Sequence, residues 1–397
     1  MDQLFLKSVP ILELIEKAGF EAYFVGGSVR DYILGRPIND VDIATSATPE
    51  EIKRIFPKTA DIGIEHGTVL IITEAGTYEI TTFRTESSYS DFRRPDSVQF
   101  VRSLTEDLQR RDFTMNAMAM DKSGNIIDPF NGKHDLVEKR IITVGNPHER
   151  FHEDALRMMR ALRFVSQLGF ELDQDTFVSL KENAQIINEI AVERILVEFE
   201  KLMAGSNNKR AISLLLESGL YQYLPHFSKE KDHLGNLLKL PLNQLKAAEI
   251  WSVIMVHTSD QEIEAALRAW KLPLKTIRNV QRIIQLVKKD PSFENSAFDV
   301  FQAGQILAVQ AAKVRAALTG GDVMDAEENA HQHYNKLIIK QMSDLAVTGT
   351  DLLNWNQEKP GPWVKESLEM ILKAVLDDVL INDKEEIKRW LEKCNLS

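Results

Sequence analysis

Asp40 and Asp42, in the segment NDVDIAT, stand two apart in a stretch that reads as a β-strand. Side chains two apart on a strand project from one face, so both carboxylates point the same way while Val41 and Ile43 turn inward. Like charges side by side on a β surface are unfavourable unless a cation sits between them. Mg²⁺ suits such a place, because it takes a few carboxylates and completes its shell with water and substrate phosphates. Glu79, in TYEITTF, shares a strand face with Thr81 and Phe83 and joins the pair if its strand lies alongside. A solvated strand end is the ordinary alternative for either element alone.

The same region offers a phosphate cradle. In GGSVRD (26–31), Gly26 and Gly27 follow the apolar pattern EAYFV and open a helix at Ser28. Such a turn exposes backbone N–H groups beside a helix N-terminus, where geometry and dipole both favour triphosphate oxygens. Arg30, in the first turn, adds a charge-assisted contact. A glycine pair by itself marks only a turn. Shortly ahead of two aspartates it gains a function.

The elements that must hold these groups alternate over the first ~145 residues. PILELIEKAGF is amphipathic and closed by Gly19. EAYFVGG reads as a strand, SVRDYILG as a helix capped by Ser28 and ended by Gly35, and TPEEIKRIFP as a helix between Pro49 and Pro57. GTVLIIT and TYEITTF read as strands joined by a glycine turn at Gly76. From about residue 149 strand signals fade, and HERFHEDALRMMRALRFVSQLGF, DTFVSLKENAQIINEI, ERILVEFEKLMAG and NKRAISLLLESGLYQYLP all carry helical spacing. The expected fold class is α+β: a head with a mixed sheet and helices, then an all-α remainder.

Composition limits the functions open to the chain. A net charge of −11, spread over both halves, argues against a general nucleic-acid binder. Any RNA contact needs basic side chains gathered on one face. Asp2, Glu13 and Glu16 interrupt the opening residues, so no signal peptide is read there. No apolar run approaches the roughly 18 residues of a membrane span. The single cysteine, Cys394, excludes an internal disulfide framework, and a cytoplasmic location is expected. His134-Asp135 could begin an HD-type phosphohydrolase site, but His226, His233, His257, His331 and His333 are too scattered to complete it.

GGSVRDYILGRPINDVDIAT resembles the signature of the DNA polymerase β-type nucleotidyltransferase superfamily. With EITTFRTE (79–86), RRDFTMNAMAMD (110–121), DPFNGKHDL (128–136) and ERFHEDALRMMRALRF (149–164), it resembles more narrowly the class II tRNA nucleotidyltransferase and bacterial poly(A) polymerase family. The resemblance covers roughly residues 20–205. It implies a polymerase-β-type catalytic head over 1–145 and a helical neck with base recognition over 146–205. A helical body over 206–295 and a helical tail over 296–397, which meets tRNA, complete the chain. It further implies a two-metal Mg²⁺ mechanism in which Asp40 and Asp42 hold both ions and Glu79 helps hold the first. Gly27 and Arg30 map onto triphosphate contacts, and Arg111, Arg160 and Arg163 onto further nucleotide contacts. Addition of C, C and A to tRNA 3′ ends from CTP and ATP, with pyrophosphate released, follows as the expected activity, and a homodimer as a family trait. The alternatives are a poly(A) polymerase, an enzyme adding only C or only A, and a non-catalytic RNA-binding protein on the same fold.

Base choice has a candidate as well. HEDALRMMRALRF reads as one helix, with Ala155, Met158, Met159, Leu162 and Val165 on its apolar face and Asp154, Arg157 and Arg160 on the other side. Asp154 and Arg157 are i, i+3 neighbours, ordinarily a surface ion pair. In the family motif the aspartate accepts from an exocyclic amine and the arginine donates to the ring nitrogen. Cytosine and adenine present that order, while guanine and uracil present the reverse. Arg163 falls opposite Asp154, which favours a phosphate or structural role. Finally, the polar segment Thr85–Ser97, with Asp91, Arg93, Arg94 and Pro95, resembles the family's flexible loop needed for A addition.

Overall fold

The computed structural model describes residues 1–62, 66–74, 76–87, 97–228, 231–289, 296–356 and 359–393. Its contacts divide the chain into two compact units, Met1–Leu238 and Lys239–Ser397. That is a coarser division than head, neck, body and tail.

The first unit is built on a seven-stranded mixed sheet. Its strands are β1 (Ala22–Val25), β2 (Asp42–Thr45), β3 (Thr59–Asp61), β4 (Thr68–Thr73) and β5 (Gly76–Thr82), then, beyond a separate antiparallel pair β6 (Arg84–Ser87) and β7 (Ser97–Phe100), β8 (Ala119–Met120) and β9 (Ile126–Ile127). The order across the sheet is β3-β4-β5-β2-β1-β8-β9. Helices α1 (Gln3–Lys17), α2 (Gly27–Ile33), α3 (Pro49–Ile55), α4 (Leu104–Gln109) and α5 (Gly132–Val137) accompany it. Phe5 of α1 meets Phe24 of β1 with ring centroids 4.8 Å apart, and Leu12 and Ile15 are buried on the same helix face. At α3 Thr48 and Glu51 form a capping box around Pro49, which fixes where that helix starts.

Two pairings position the expected site. β1 and β2 run antiparallel with Val25 opposite Asp42, so the start of β2 lies beside the end of β1 and its glycine turn. β2 and β5 run parallel, Ile43 opposite Ile80, which sets Glu79 a step before that pair just as Asp42 is. The condition on which Glu79 joined the aspartates is therefore met. Two local expectations change. Asp40 precedes β2 instead of lying on it. The N-cap of α2 is Gly26, and Ser28 Oγ donates to the carbonyl of Val25 instead of capping the helix.

The chain continues through β10 (Arg140–Ile141), α6 (Pro147–Glu153), α7 (Leu156–Leu168), β11 (Glu171–Leu172, parallel to β10), α8 (Gln174–Asn183), α9 (Val192–Ala204), α10 (Asn208–Glu217) and α11 (Lys231–Leu237). The helix expected over HEDALRMMRALRF is two helices. Asp154 is extended at φ −143°, ψ 101° and separates α6 from α7. α7 packs closely on the end of α9. A Cβ on Gly205 would stand 2.1 Å from Ser166 Oγ, which donates to the Leu202 carbonyl at 2.5 Å.

The second unit holds α12 (Ala247–Met255), α13 (Asp260–Ala269), α14 (Leu274–Lys288), α15 (Ala297–Ala303), α16 (Gln305–Thr319), α17 (Val323–Lys336), α18 (Gly349–Asn356), α19 (Pro362–Leu376) and α20 (Lys384–Lys393). Among the described residues it has no strand, which agrees with the all-α expectation. Trp251 and Trp270 meet edge to face at 5.2 Å in its core. The buried Lys313 is neutralised there by Glu249 at 3.4 Å and Glu327 at 3.1 Å. Among the described residues no helix is long and apolar enough to cross a membrane.

Candidate nucleotide-binding and catalytic site

A cleft of about 660 Å³ opens in the first unit, with the sheet at one end and α7 and α9 at the other. Eight arginines and three aspartates line it, so the balance of a chain carrying −11 is locally reversed. An anion with several charges would be drawn to this place.

Gly26, Gly27, Asp42 and Thr81 form its sheet end. Gly26 has φ +73°, a conformation that a side chain disfavours, and a Cβ there would lie 3.2 Å from Arg111 Nη1 and 3.6 Å from Asp42 Oδ2. The glycine thus lets Asp42 and Arg111 approach the turn. The Asp42 carboxylate is solvent-exposed yet lies among desolvating protein groups. Burial and the neighbouring Asp40 raise its pKa, Arg111 lowers it, and Glu79 raises it further. Asp40 and Glu79 are therefore both near enough to act on Asp42 as like charges. Among the described residues no three His, Cys, Asp or Glu side chains converge tightly enough to hold an ion unaided. Arg30 is nearly buried. Its Nε and Nη2 grip Asp31 at 3.0 and 2.9 Å, while Nη1 donates to Asn116 Oδ1 at 2.7 Å.

The helical end is organised by ion pairs. Arg157 is only 7% exposed, and its guanidinium donates to Glu153 Oε2 (2.6 Å), the Arg150 carbonyl (3.1 Å) and the Arg110 carbonyl (2.8 Å). Asp154 accepts from the Leu156 N–H on Oδ1 (3.1 Å) and from Arg194 Nη2 on Oδ2 (2.7 Å). The surface ion pair that would ordinarily join Asp154 to Arg157 is replaced by separate partners for each. Arg160 holds Asp112 through Nε (2.8 Å) and Nη2 (2.5 Å), and Asp112 also accepts from Asn116 Nδ2 and the Phe113 N–H. Burial alone would raise the pKa of Asp112, but Arg160 and Asn116 hold it well below the usual carboxylate range. Arg163 pairs with Glu198 at 2.6 Å and stacks over Phe164 at 4.2 Å, while burial brings its pKa down to about 10. A continuous relay of contacts runs from Arg30 through Asn116 and Asp112 to Arg160.

Asp42, Gly27, Arg30, Arg111, Asp154, Arg157, Arg160 and Arg163 thus share one cleft, with Asp40 and Glu79 acting on Asp42 electrostatically from beside it. Sequence reasoning missed Arg194, Asp112, Asn116 and Glu198. Arg194 left a faint signal, a cation in the first turn of a helix, where the dipole opposes it. Residues 88–96 of the expected mobile loop, and Cys394, lie outside the described residues.

A mixed-sheet head whose glycine turn, carboxylates and arginines face one cationic cleft defines a nucleotidyltransferase. Residues 22–142 match the poly A polymerase head domain, 169–231 the probable RNA and SrmB-binding site of polymerase A, and 244–391 the putative second domain of tRNA nucleotidyltransferases. The chain is 46% identical to the CCA-adding enzyme of Bacillus licheniformis over 100% of both chains. It is 47% identical to the CCA-adding enzyme of Listeria monocytogenes, covering 98% of this chain and 99% of that one. The crystal structure of the Bacillus stearothermophilus CCA-adding enzyme in complex with CTP matches with a TM-score of 0.91 at 44% identity, over 100% of this chain and 98% of that one. A Thermotoga maritima CCA-adding enzyme complexed with tRNA_CCA, 21% identical at a TM-score of 0.69 over 99% and 96% of the two chains, shares the fold. The chain belongs to the class II tRNA nucleotidyltransferases, in the family of CCA-adding enzymes.

Proposed function

We propose that the chain adds C, C and A in order to the 3′ end of tRNA, taking CTP twice and ATP once and releasing pyrophosphate at each step. The observation that carries this reading is the joint presence of Asp154 and Arg157 in the cleft that also holds Asp42 and the Gly26–Gly27 turn. The triphosphate lies along the backbone N–H groups that open α2 at Gly27 and Ser28, with Arg30 and Arg111 as counter-charges. The 3′ hydroxyl of the RNA loses its proton to solvent as its oxygen attacks the α-phosphorus, the bond to the α–β bridging oxygen breaks, and pyrophosphate leaves. Asp40 and Asp42, with Glu79 beside them, are the residues to hold Mg²⁺. Burial and the nearby Asp40 and Glu79 raise the pKa of Asp42, a load that a cation would relieve, and Mg²⁺ suits a few carboxylates together with phosphate oxygens. Mg²⁺ held there would make the RNA 3′ hydroxyl more acidic and offset the charge of the leaving pyrophosphate.

Asp154 accepts from N4 of cytosine or N6 of adenine, and Arg157 donates to N3 or N1 beside it. Guanine and uracil bring a carbonyl against the aspartate and an N–H against the arginine, so both would face repulsion or an unpaired buried group. Arg160 and Arg163, fixed by Asp112 and Glu198, give this end its shape and positive potential. The test is incubation with tRNA lacking CCA, each nucleoside triphosphate singly and then all together, followed by sequencing of the products. Ordered CCA supports the proposal. A homopolymeric A tail, or arrest after C alone, replaces it with the poly(A) or partial-enzyme reading.

A further inference from the structure

Asp154 is not restrained by a helix. Its extended backbone sits between α6 and α7, and what orients its carboxylate is one contact on each oxygen: the Leu156 N–H on Oδ1 and Arg194 Nη2 on Oδ2. Two contacts on different oxygens fix the plane of the group. A carboxylate has about four lone-pair sites, so acceptor capacity remains for an incoming amine.

Arg194 is placed against its own helix. It is the third residue of α9, where a cation meets the positive end of the dipole, so stability of α9 does not account for it. Its Nη1 is buried and has no hydrogen-bond acceptor among the described residues, and the side chain lines the cleft. Arg157 is held by an independent set of partners (Glu153 and the carbonyls of Arg150 and Arg110), so Arg194 acts on the amine-reading half of the pair alone.

We propose that Arg194 is a positioning residue for base discrimination: it locks the Asp154 carboxylate so that a lone pair faces the exocyclic amine of C or A and a negative oxygen faces the carbonyl of U or G. This rests on the base-reading role given to Asp154 and Arg157. Without Arg194 the carboxylate can turn away from a carbonyl, and the penalty against U and G falls.

The experiment measures kcat and KM for one nucleotide addition to tRNA lacking CCA, with CTP, UTP and the pyrimidine triphosphate that lacks the 4-amine. The proteins are wild type, Arg194→Gln, Arg194→Lys, Asp154→Asn and the double variant Asp154→Asn/Arg194→Gln. Arg194→Gln is expected to lower the CTP/UTP ratio by about tenfold, through a higher KM for CTP and a lower one for UTP, and to shrink the advantage of CTP over the amine-free analogue. Arg194→Lys restores part of both, and in the Asp154→Asn background the Arg194 change adds little. If Arg194→Gln slows CTP and UTP equally while Asp154→Asn collapses the ratio, Arg194 is only a structural tie and the proposal is overturned. If Asp154→Asn leaves the ratio intact, the base-reading assignment itself fails and takes the proposal with it. Should Arg194→Gln not fold, Arg194→Met, which keeps much of the side chain without a donor, takes its place, and an unchanged ratio and an unchanged analogue preference in that variant would also refute the proposal.

Discussion

At the sheet end of the cleft, burial and the like charges of Asp40 and Glu79 bear on Asp42, and Arg111 is the counter-charge that acts on it. At the helical end Asp154, Arg157, Arg160 and Arg163 each meet a partner, and Asp112 and Glu198 are buried to supply two of them. The first arrangement is unfavourable as it stands and becomes favourable when a cation and phosphates arrive. The second has its charges paired before any ligand binds. Reaction chemistry gains from groups whose charge is compensated only by the reacting species, whereas base reading needs groups that hold still. One cleft therefore carries two opposite electrostatic strategies.

The widest break in that contrast comes from the sheet end. Asp40→Ala or Asp42→Ala should reduce nucleotide incorporation by about a thousandfold or more, on the order of 4 kcal/mol of barrier, with tRNA affinity little changed. Incorporation and filter-binding assays read the two quantities separately. Appreciable turnover in either variant would remove the metal assignment.

The next effect is on stability, at the helical end. Asp112→Asn leaves Arg160 with only the more distant Glu198 (3.8 Å) and should destabilise the first unit by about 3 kcal/mol, the low end for a broken buried pair because Arg160 keeps some solvent and this second partner. The pKa of Asp112 is depressed in the fold, so its contribution is full above the unfolded value near 4 and is lost as pH falls below it toward the folded value. Urea midpoints should differ most between wild type and variant at pH 7 and converge below about pH 4. A pH-independent gap would mean that packing, not charge, holds Asp112.

A smaller effect, at the same end, is on selectivity. Removing Asp154 or Arg157, or exchanging them, should cost roughly 1–3 kcal/mol of preference for C and A over U and G, about tenfold to a hundredfold. Competition assays with mixed triphosphates measure it directly. An unchanged preference would leave the helical end as scaffold.

How much of this was legible depends on how far apart the partners lie in the chain. The glycine turn, Arg30 and the two aspartates fall within one short segment, and their spacing already implies a shared strand end. Glu79 depended on β5 lying beside β2, which the sequence allowed without requiring. The break at Asp154 was invisible, because HEDALRMMRALRF holds good helix formers and no Gly or Pro. Asp154 is extended there, its carboxylate held by the Leu156 N–H and by an arginine 40 residues further on. Asp112 and Glu198 were missed for a similar reason. Their burial beside Arg160 and Arg163 arises only when RRDFTMNA and α9 pack on α7.

The smallest expected effect is the sharpest test of the contrast, because its sign differs between the two ends. Asp42→Asn removes the charge on which Asp40 and Glu79 bear and keeps the shape of the side chain. In a metal-free buffer with chelator the variant should be more stable than wild type by roughly 0.5–1 kcal/mol, the size of a typical gain when a functional strain is relieved. Asp112→Asn, an identical chemical change, should lose stability under the same conditions. Adding Mg²⁺ with CTP should then reverse the order at the sheet end. A ligand at ten times its Kd stabilises the form that binds it by about 1.4 kcal/mol, and Asp42→Asn binds the pair poorly. Urea denaturation of the three proteins, with and without Mg²⁺ and CTP, reads all of these values. If Asp42→Asn is destabilising without metal, then the carboxylate of Asp42 is satisfied by the protein itself. The sheet end would be preorganised like the helical one, and the two strategies would reduce to one.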